Sequence, residues 1–381
     1  MDFTLDTEQQ MLSDSVARFI QNDYDFEARM KLVAARSGGS AAIWQTFAEN
    51  GWLAVSCPEA FGGFGGSVIE TAIISEQFGR ALVIEPWLGC AVLGIQTLLA
   101  SHDDAAKADW LPGLCDGSRR IAVAWSEAAA RGAPQVVATR AEGAGDTLRL
   151  HGTKTLVLGG VGADAYLVSV RLTDPMDARD GIALCIVEAG ASGLSITPTP
   201  LHDGSVAATV TMDGVIARRL KGDGLSALEA GLGHAICALC AELVGAMERA
   251  IEIAADYLRT RKQFGVTIGS FQSLQHRIAD MSAELELARS MLFAALASYE
   301  NDDAGLRIAT LAGAKALITG AARSVCGQAI QLHGGIGMTE ECAVGHYFKR
   351  AVVADALLGG RIVQERICTA SLLGELAGAS A

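Results

Sequence analysis

Arg261-Lys-Gln-Phe-Gly265, Phe271-Gln272 and, near the C-terminus, Gln331-Leu-His-Gly-Gly335 are the stretches of this 381-residue chain whose residue types are best suited to gripping a ligand. A guanidinium donates paired, charge-assisted hydrogen bonds to phosphate oxygens, and Gly265 lets the backbone turn closely around a bound group. Taken alone, Arg-x-x-Phe-Gly is a weak signal, because a helix that ends with an arginine beside its last carbonyl groups has the same spelling. Other reactive-looking groups read more plainly. Cys237 and Cys240 form C-x-x-C inside a helical apolar stripe with no second ligand pair nearby, so they are expected in the core and not on a metal. The glycine-rich Phe61-Gly-Gly-Phe-Gly-Gly66 has no preceding strand and no Gly-Lys-Ser/Thr, which makes it a turn between helices and not a phosphate cradle. His276, in the helix after Gln272, is expected to be packed or capping, and no histidine makes a nucleophile pair visible in sequence.

The elements that must position these residues fall into three segments. Residues 1–118 read as an N-terminal helical domain: Asp6 and Gln9 form a capping pair, Leu12, Val16, Phe19 and Ile20 follow at helical spacing, and a second helix carries Ile43, Trp44 and Phe47 up to Asn50-Gly51. Residues 119–218 change to short alternating β-branched runs, Ile121 to Trp125, Tyr166 to Val170, Ile182 to Val187 and Ala207 to Met212, as in a small β-barrel or sandwich. Residues 219–381 return to long apolar stripes, Leu232, Ile236, Leu239, Leu243, Met247 and Ile251, then Leu274, Ile278, Met281, Leu285, Leu292 and Leu296, the pattern of an antiparallel bundle. The fold class is therefore α+β, mostly α, with no internal repeat.

Composition excludes several functions. Half of the residues are hydrophobic and only 19% are charged, so apolar burial is ample. A net charge of −13 without lysine or arginine runs disfavours nucleic acid and anionic lipid. The acidic start Met1-Asp-Phe-Thr-Leu-Asp6 does not read as a signal peptide, the run Trp87 to Ala100 is too short for a membrane span, and the apolar helix near residue 240 is interrupted by Glu229, His234 and Glu242. Nine cysteines without framework spacing suit reduced thiols, and a cytoplasmic location is expected.

With this order of helices, small β unit and bundle, the gripping motifs make the chain similar over essentially its full length to the acyl-CoA dehydrogenase family. Within it, Tyr257-Leu-Arg-Thr-Arg-Lys-Gln-Phe-Gly265 and Val344-Gly-His-Tyr-Phe-Lys-Arg350 most resemble the small subunits of pimeloyl-CoA dehydrogenases. The resemblance implies that Arg261, Gln263, Phe264, Gln272, Gln331, Gly334 and Gly335 hold the pyrophosphate and adenine end of an FAD whose ring lies mostly in the neighbouring subunit. It also implies an acyl-CoA thioester as substrate, removal of hydrogens from its α and β carbons, and an electron-transfer flavoprotein as acceptor. His333 stands where the family has an apolar or aromatic residue, so packing or an FAD contact is expected of it. Glu341 falls on a structural glutamate of the family.

The departures from the family concern chemistry. A carboxylate takes the α-proton there, a contribution of roughly 10²–10⁴-fold. Its position is Leu358 in this chain, and the alternative position used by some members is Ala235, followed by Ile236 in place of arginine. The family's Thr-Glu-Pro-x-x-Gly-Ser-Asp loop, which cradles the flavin ring, reads Trp125-Ser-Glu-Ala-Ala-Ala-Arg-Gly132, and its Trp-Ile-Thr strand reads Leu156-Val-Leu158. The stacking indole and hydrogen-bonding hydroxyl are replaced. The resemblance thus implies a base-less subunit that completes the FAD site of a homologous subunit, as an α₂β₂ heterotetramer. Two other readings stay open. One is a self-sufficient homo-oligomer with its base relocated to Asp355, one helical turn before Leu358, although a capping role is the plainer account of that residue. The other is a flavin-dependent monooxygenase on the same scaffold, against which retention of Gln331 to Gly335 stands. The acyl group is open among dicarboxyl, aliphatic and steroid side-chain thioesters.

Overall fold

Asp6 and Gln9 cap the first helix, α1 (Thr7–Asp23), reciprocally: the Asp6 carboxylate accepts from the Gln9 amide at 2.9 Å, and the Gln9 side chain accepts from the Asp6 amide at 3.2 Å. Two donors that a helix start leaves orphaned are satisfied at once. The computed structural model describes residues 4–130, 132–143, 145–301 and 303–379, with backbone alone for 372 and 374–379; Met1 to Phe3 of the acidic start and Arg131 of the loop before Gly132 lie outside the described residues. A helix absent from the sequence reading follows, α2 (Phe26–Ala35), capped by Asp25 and burying a charged residue, Arg29, in place of an apolar stripe. Next comes α3 (Ala41–Glu49), which buries Trp44 and Phe47 and ends at Asn50. The glycine-rich loop leads from a short turn, Glu59–Phe61, to Ser67, the cap of α4 (Val68–Ala81), and is a connection between helices as expected. The apolar run after Pro86 forms a wholly buried π-helical stretch, Trp87–Gly94, continuous with α5 (Ile95–Leu99), and α6 (Asp104–Cys115) completes the segment.

The β-branched runs close into a small barrel. Strand β4 (Ala165–Arg171) pairs with β2 (Arg140–Glu142), which pairs with β3 (Thr147–Leu158), then β7 (Val206–Arg219), then β5 (Ile182–Glu188), which returns to β4. β1 (Ile121–Ala124) lies parallel on β4, and β6 (Leu194–Pro200) on β7. Leu148, Leu150, Val168, Cys185, Val210 and Met212 fill a core separate from the helical one. Between Lys154 and Val157 the β3–β7 register slips, lifting Thr155 and Leu156 out of the ladder; Leu156 adopts φ 52. A bulge of this kind re-aims side chains, here toward the site described below.

The last segment is the bundle of α7 (Gly224–Thr260), α8 (Gln272–Ala297), α9 (Ala304–His333), α10 (Ala343–Ala356) and α11 (Arg361–Ala379). α7 is long and apolar enough by composition to cross a bilayer, yet 89% of its most apolar stretch is buried inside the protein, which makes it the core helix of the bundle. Cys237 and Cys240 are buried within it. α4 crosses α7 at Gly79 and Gly245, where an added Cβ would overlap the carbonyl groups of Glu242 and Glu76 respectively. Glycine inside a helix is entropically unfavourable and is kept here for the close approach. Gly245→Ala is expected to cost about 1–3 kcal/mol by forcing the helices apart. An unchanged urea midpoint would show that the crossing yields without strain.

Candidate functional site

Helix α7 stops at Thr260, and the chain reverses through a two-stranded hairpin, β8 (Lys262–Gln263) with β9 (Val266–Thr267). Its two turn residues, Phe264 (φ 54) and Gly265 (φ 82), are both left-handed, as a tight two-residue hairpin requires. Glycine adopts this freely, whereas Phe264 carries strain and also stands 90% exposed, edge-on to Phe271. An aromatic side chain held out in water at a strained turn suits coverage by another molecule better than solvent. α8 begins at Gln272, and Gln331 sits in the last turn of α9, which Gly334 (φ 66) terminates.

The two motifs meet. Tyr257, one turn before Arg261, stacks on His333 with ring centroids 4.4 Å apart and planes at 23°, and Arg277 of α8 donates to Gln328 of α9 at 2.7 Å. Arg261, Gln263, Phe264, Gln272, Gln331, Gly334 and Gly335 therefore share one end of the bundle, and all are exposed. The side chains of Arg261, Gln272 and Gln331 have no intramolecular partner among the described residues, and a Cβ at Gly265, Gly334 or Gly335 would meet nothing within 4 Å. Unsatisfied donors, a cation and open backbone displayed together fit an anionic nucleotide tail arriving from outside. Among the described residues, the exposed grip residues stand open to the outside.

Leu358 lies elsewhere, at the corner between α10 and α11. The expected helical-turn relation between it and Asp355 does not hold, because α10 ends at Ala356 and Leu358 follows in a left-handed turn with φ 55. Lys315 of α9 fixes this corner: its Nζ donates to the Gly359 carbonyl at 2.7 Å and the Asp355 carbonyl at 3.3 Å, and burial pulls the ammonium down to about 8. Gln364 donates to the Leu358 carbonyl at 3.0 Å. The isobutyl group is 7% exposed and borders two cavities. One, of about 330 Å³, lies against the barrel and is lined by Trp125, Ser126, Thr155 and Leu156. The other, of about 100 Å³, runs toward α7 and α9 past Leu232, Gly233, Ile236 and Leu311.

The carboxylates lining these cavities are both occupied. Glu127 accepts from Lys154 at 2.6 Å and from the Thr139 hydroxyl at 2.7 Å; its burial is overcome by the buried Lys154 ammonium, which holds the carboxyl below its ordinary range. Glu229 takes two hydrogen bonds of 2.8 Å from Arg179. Asp355 lines neither cavity: its carboxylate accepts from the Arg361 amide and from Arg323, both at 3.3 Å, so it caps α11. Ala235 is fully buried. Sequence reading missed that hydroxyls remain on the barrel side, on Ser126 and Thr155, whose amide donates to the Ser126 carbonyl at 2.8 Å. The indole position, by contrast, is the aliphatic Leu156.

The histidines divide as well. His333 is packed as expected, whereas His276 is exposed near the start of α8 and so is not packed, on a face it shares with the exposed Gln272, Ser273, Ala279 and Asp280. His234, which attracted no sequence argument beyond interrupting the apolar run, lies edge-on to Tyr299 at 4.7 Å, and its Nδ1 has no partner among the described residues. Burial, with Arg307 adding, pushes it down to about 4. The unfolded chain binds a proton near pH 6.5 where the native one does not, so stability falls as pH drops from about 6.5 to 4 and the loss is complete below that, up to about 3 kcal/mol. His234→Phe should flatten this acid limb, read as urea midpoints at several pH values in the same range; an unaltered slope would count against it.

Comparison with known proteins adds relatives. A family model described as "Acyl-CoA dehydrogenase, N-terminal domain" matches residues 6–118, and one described as "Acyl-CoA dehydrogenase, C-terminal domain" matches residues 222–373. The chain is 31% identical over 365 residues to the acyl-CoA dehydrogenase FadE12 of Mycobacterium tuberculosis, with 91% of each chain covered. It is 30% identical over 348 residues to the acyl-CoA dehydrogenase IpdE2 of the same organism, covering 90% of this chain and 91% of the relative. Among solved structures, a variant of the Tcur3481–Tcur3483 steroid ACAD superposes with a TM-score of 0.88 at 29% identity, covering 97% of this chain and 99% of that one. The ChsE4–ChsE5 complex from Mycobacterium tuberculosis superposes with a TM-score of 0.88 at 27% identity, covering 98% and 99%.

Proposed function

Since the chain belongs to the acyl-CoA dehydrogenase family of FAD-dependent oxidoreductases, we propose that it acts as the subunit without a catalytic base in an α₂β₂ acyl-CoA dehydrogenase, completing the FAD site of a homologous partner. One observation carries this reading: the corner where the base would stand presents the buried Leu358, while the nucleotide grip at the far motif is exposed, with the side chains of Arg261, Gln272 and Gln331 unpartnered among the described residues. FAD, when bound, supplies the hydride acceptor. This chain's part is to neutralise the pyrophosphate through Arg261, to offer the amides of Gln263, Gln272 and Gln331, and to let the tail approach the backbone at Gly334 and Gly335. Phe264 then packs against the partner or the adenine end.

The substrate is an acyl-CoA thioester whose pocket the partner shapes, and an electron-transfer flavoprotein takes the electrons. Two relatives with paired names, the Tcur3481–Tcur3483 steroid ACAD and the ChsE4–ChsE5 complex, support a two-chain assembly, and the first favours a steroid side-chain thioester among the open choices. We read residues 1–118, 119–218 and 219–381 as its three domains. The free cysteines fit a reducing, cytoplasmic setting. Native mass spectrometry of the complex isolated through this chain tests the assembly. The expected mass is two copies of each subunit with two FAD; a homotetramer carrying one FAD per chain rejects the reading.

A further inference from the structure

We propose that Tyr257 and His333 form an aromatic staple that sets the spacing between the two halves of the FAD-tail grip, and are therefore positioning residues for the cofactor held jointly with the partner subunit; this rests on the subunit reading above. The two halves come from helices remote in sequence, the end of α7 with Arg261 and the end of α9 with Gln331 to Gly335, and the ring pair is the stack that joins them. His333 is fixed on its own side. Its Nδ1 lies 2.8 Å from the Ala329 carbonyl, which can only accept, so Nδ1 carries the proton and the ring is tied back into its last helical turn. The following loop packs closely on the base of this side chain, since an added Cβ on Gly337 would come within 2.9 Å of the His333 Cβ.

On the other side, Arg261 is tied to Tyr257, whose carbonyl accepts the Arg261 amide at 2.8 Å where α7 ends. With centroids 4.4 Å apart and planes at 23°, the rings lie nearly face to face. Arg261 thus cannot shift relative to Gln331 and the glycines without unstacking them. Two flat side chains with few rotatable bonds hold that distance at little conformational cost, which an aliphatic pair of equal bulk would not do. The staple leaves the grip preassembled before the cofactor arrives, and preassembly raises affinity by removing the ordering term from binding.

The test uses the complex of this chain with its co-purifying homologous subunit, stripped of flavin and titrated with FAD by fluorescence. His333→Leu, which fills the space without a flat face, should weaken FAD about tenfold, whereas His333→Phe should bind within about threefold of wild type. Tyr257→Leu, made from the other side, should reproduce the weakening and serves if His333→Leu does not fold. Arg261→Ala is the reference. If Arg261→Ala loses FAD while both leucine variants keep wild-type affinity, the staple is overturned and the subunit reading stands. If Arg261→Ala itself keeps FAD, this chain does not hold the tail and both fall.

Discussion

Purified without a homologous partner, the chain is expected to hold little FAD and to oxidise acyl-CoA thioesters at least 10²–10⁴-fold more slowly than the co-expressed complex, the range that loss of a general base removes. The reasoning is local. Leu358 has no proton acceptor, and the carboxylates bordering its cavities, Glu127 and Glu229, are committed to Lys154 with Thr139 and to Arg179. Asp355 is committed to Arg323 and the Arg361 amide and lies on neither cavity. The same argument predicts an effect in trans. Arg261→Ala in this chain should strip flavin from a complex whose partner keeps its own base, since a charge-assisted contact to phosphate is worth about 1.5–3 kcal/mol, or roughly 10- to 100-fold in affinity. Flavin absorbance per complex after gel filtration, and turnover with added FAD, measure both. Full yellow colour and turnover from the lone chain would refute the proposal.

Arg350→Met should be the most damaging single change to stability. Arg350 of α10 donates to Glu242 of α7 at 2.5 and 2.9 Å and to Asp203, in the loop between β6 and β7, at 2.8 Å. Arg29 of α2 adds a hydrogen bond of 2.6 Å to the Asp203 carbonyl and another of 2.8 Å to Leu82. The cluster thereby ties the N-terminal helices, the barrel and the bundle together. Glu242 is 7% exposed and Asp203 3%, so removing the guanidinium strands two carboxylates away from water. Breaking such a buried group from one side costs about 3–5 kcal/mol, a large part of the 5–15 kcal/mol that folded proteins have to lose. Adding Glu242→Gln and Asp203→Asn to Arg350→Met should restore part of the loss, because neutral amides are cheaper to bury than unpaired charges. A single variant melting with wild type, or a triple variant melting below the single one, would contradict this account.

The cluster also gives an acid limb. Burial raises the Asp203 carboxyl, but Arg350 and the Ser205 hydroxyl overcome that and hold it below its ordinary value. A depressed carboxyl contributes stability above the unfolded carboxylate range, about pH 4, and loses it as pH falls through the folded value. This window lies at and below the lower edge of the His234 limb, so the two can be separated by His234→Phe.

The amino-acid sequence by itself determined the parts that rest on short-range spacing. The Asp6–Gln9 cap, the stripes of α7 and α8, the alternating runs of the barrel and the Arg261 and Gln331 motifs all depend on neighbours within a few residues, where helical and strand periodicities place side chains without help from the rest of the chain. α2 escaped notice because its buried side chain is Arg29, whose burial depends on partners at Leu82 and Asp203 far along the chain. Tertiary structure alone decided that Leu358 sits in a left-handed turn and not on the α10 face with Asp355, since Lys315 and Gln364 pin that corner from other elements. It alone decided that Ser126 and Thr155 face a cavity, through the bulge in β3, and that Tyr257 meets His333. Apart from the Gln364 contact, six positions from Leu358, these contacts join residues tens of positions apart, and no local pattern encodes which of many possible long-range partners a side chain will meet once the chain has closed on itself.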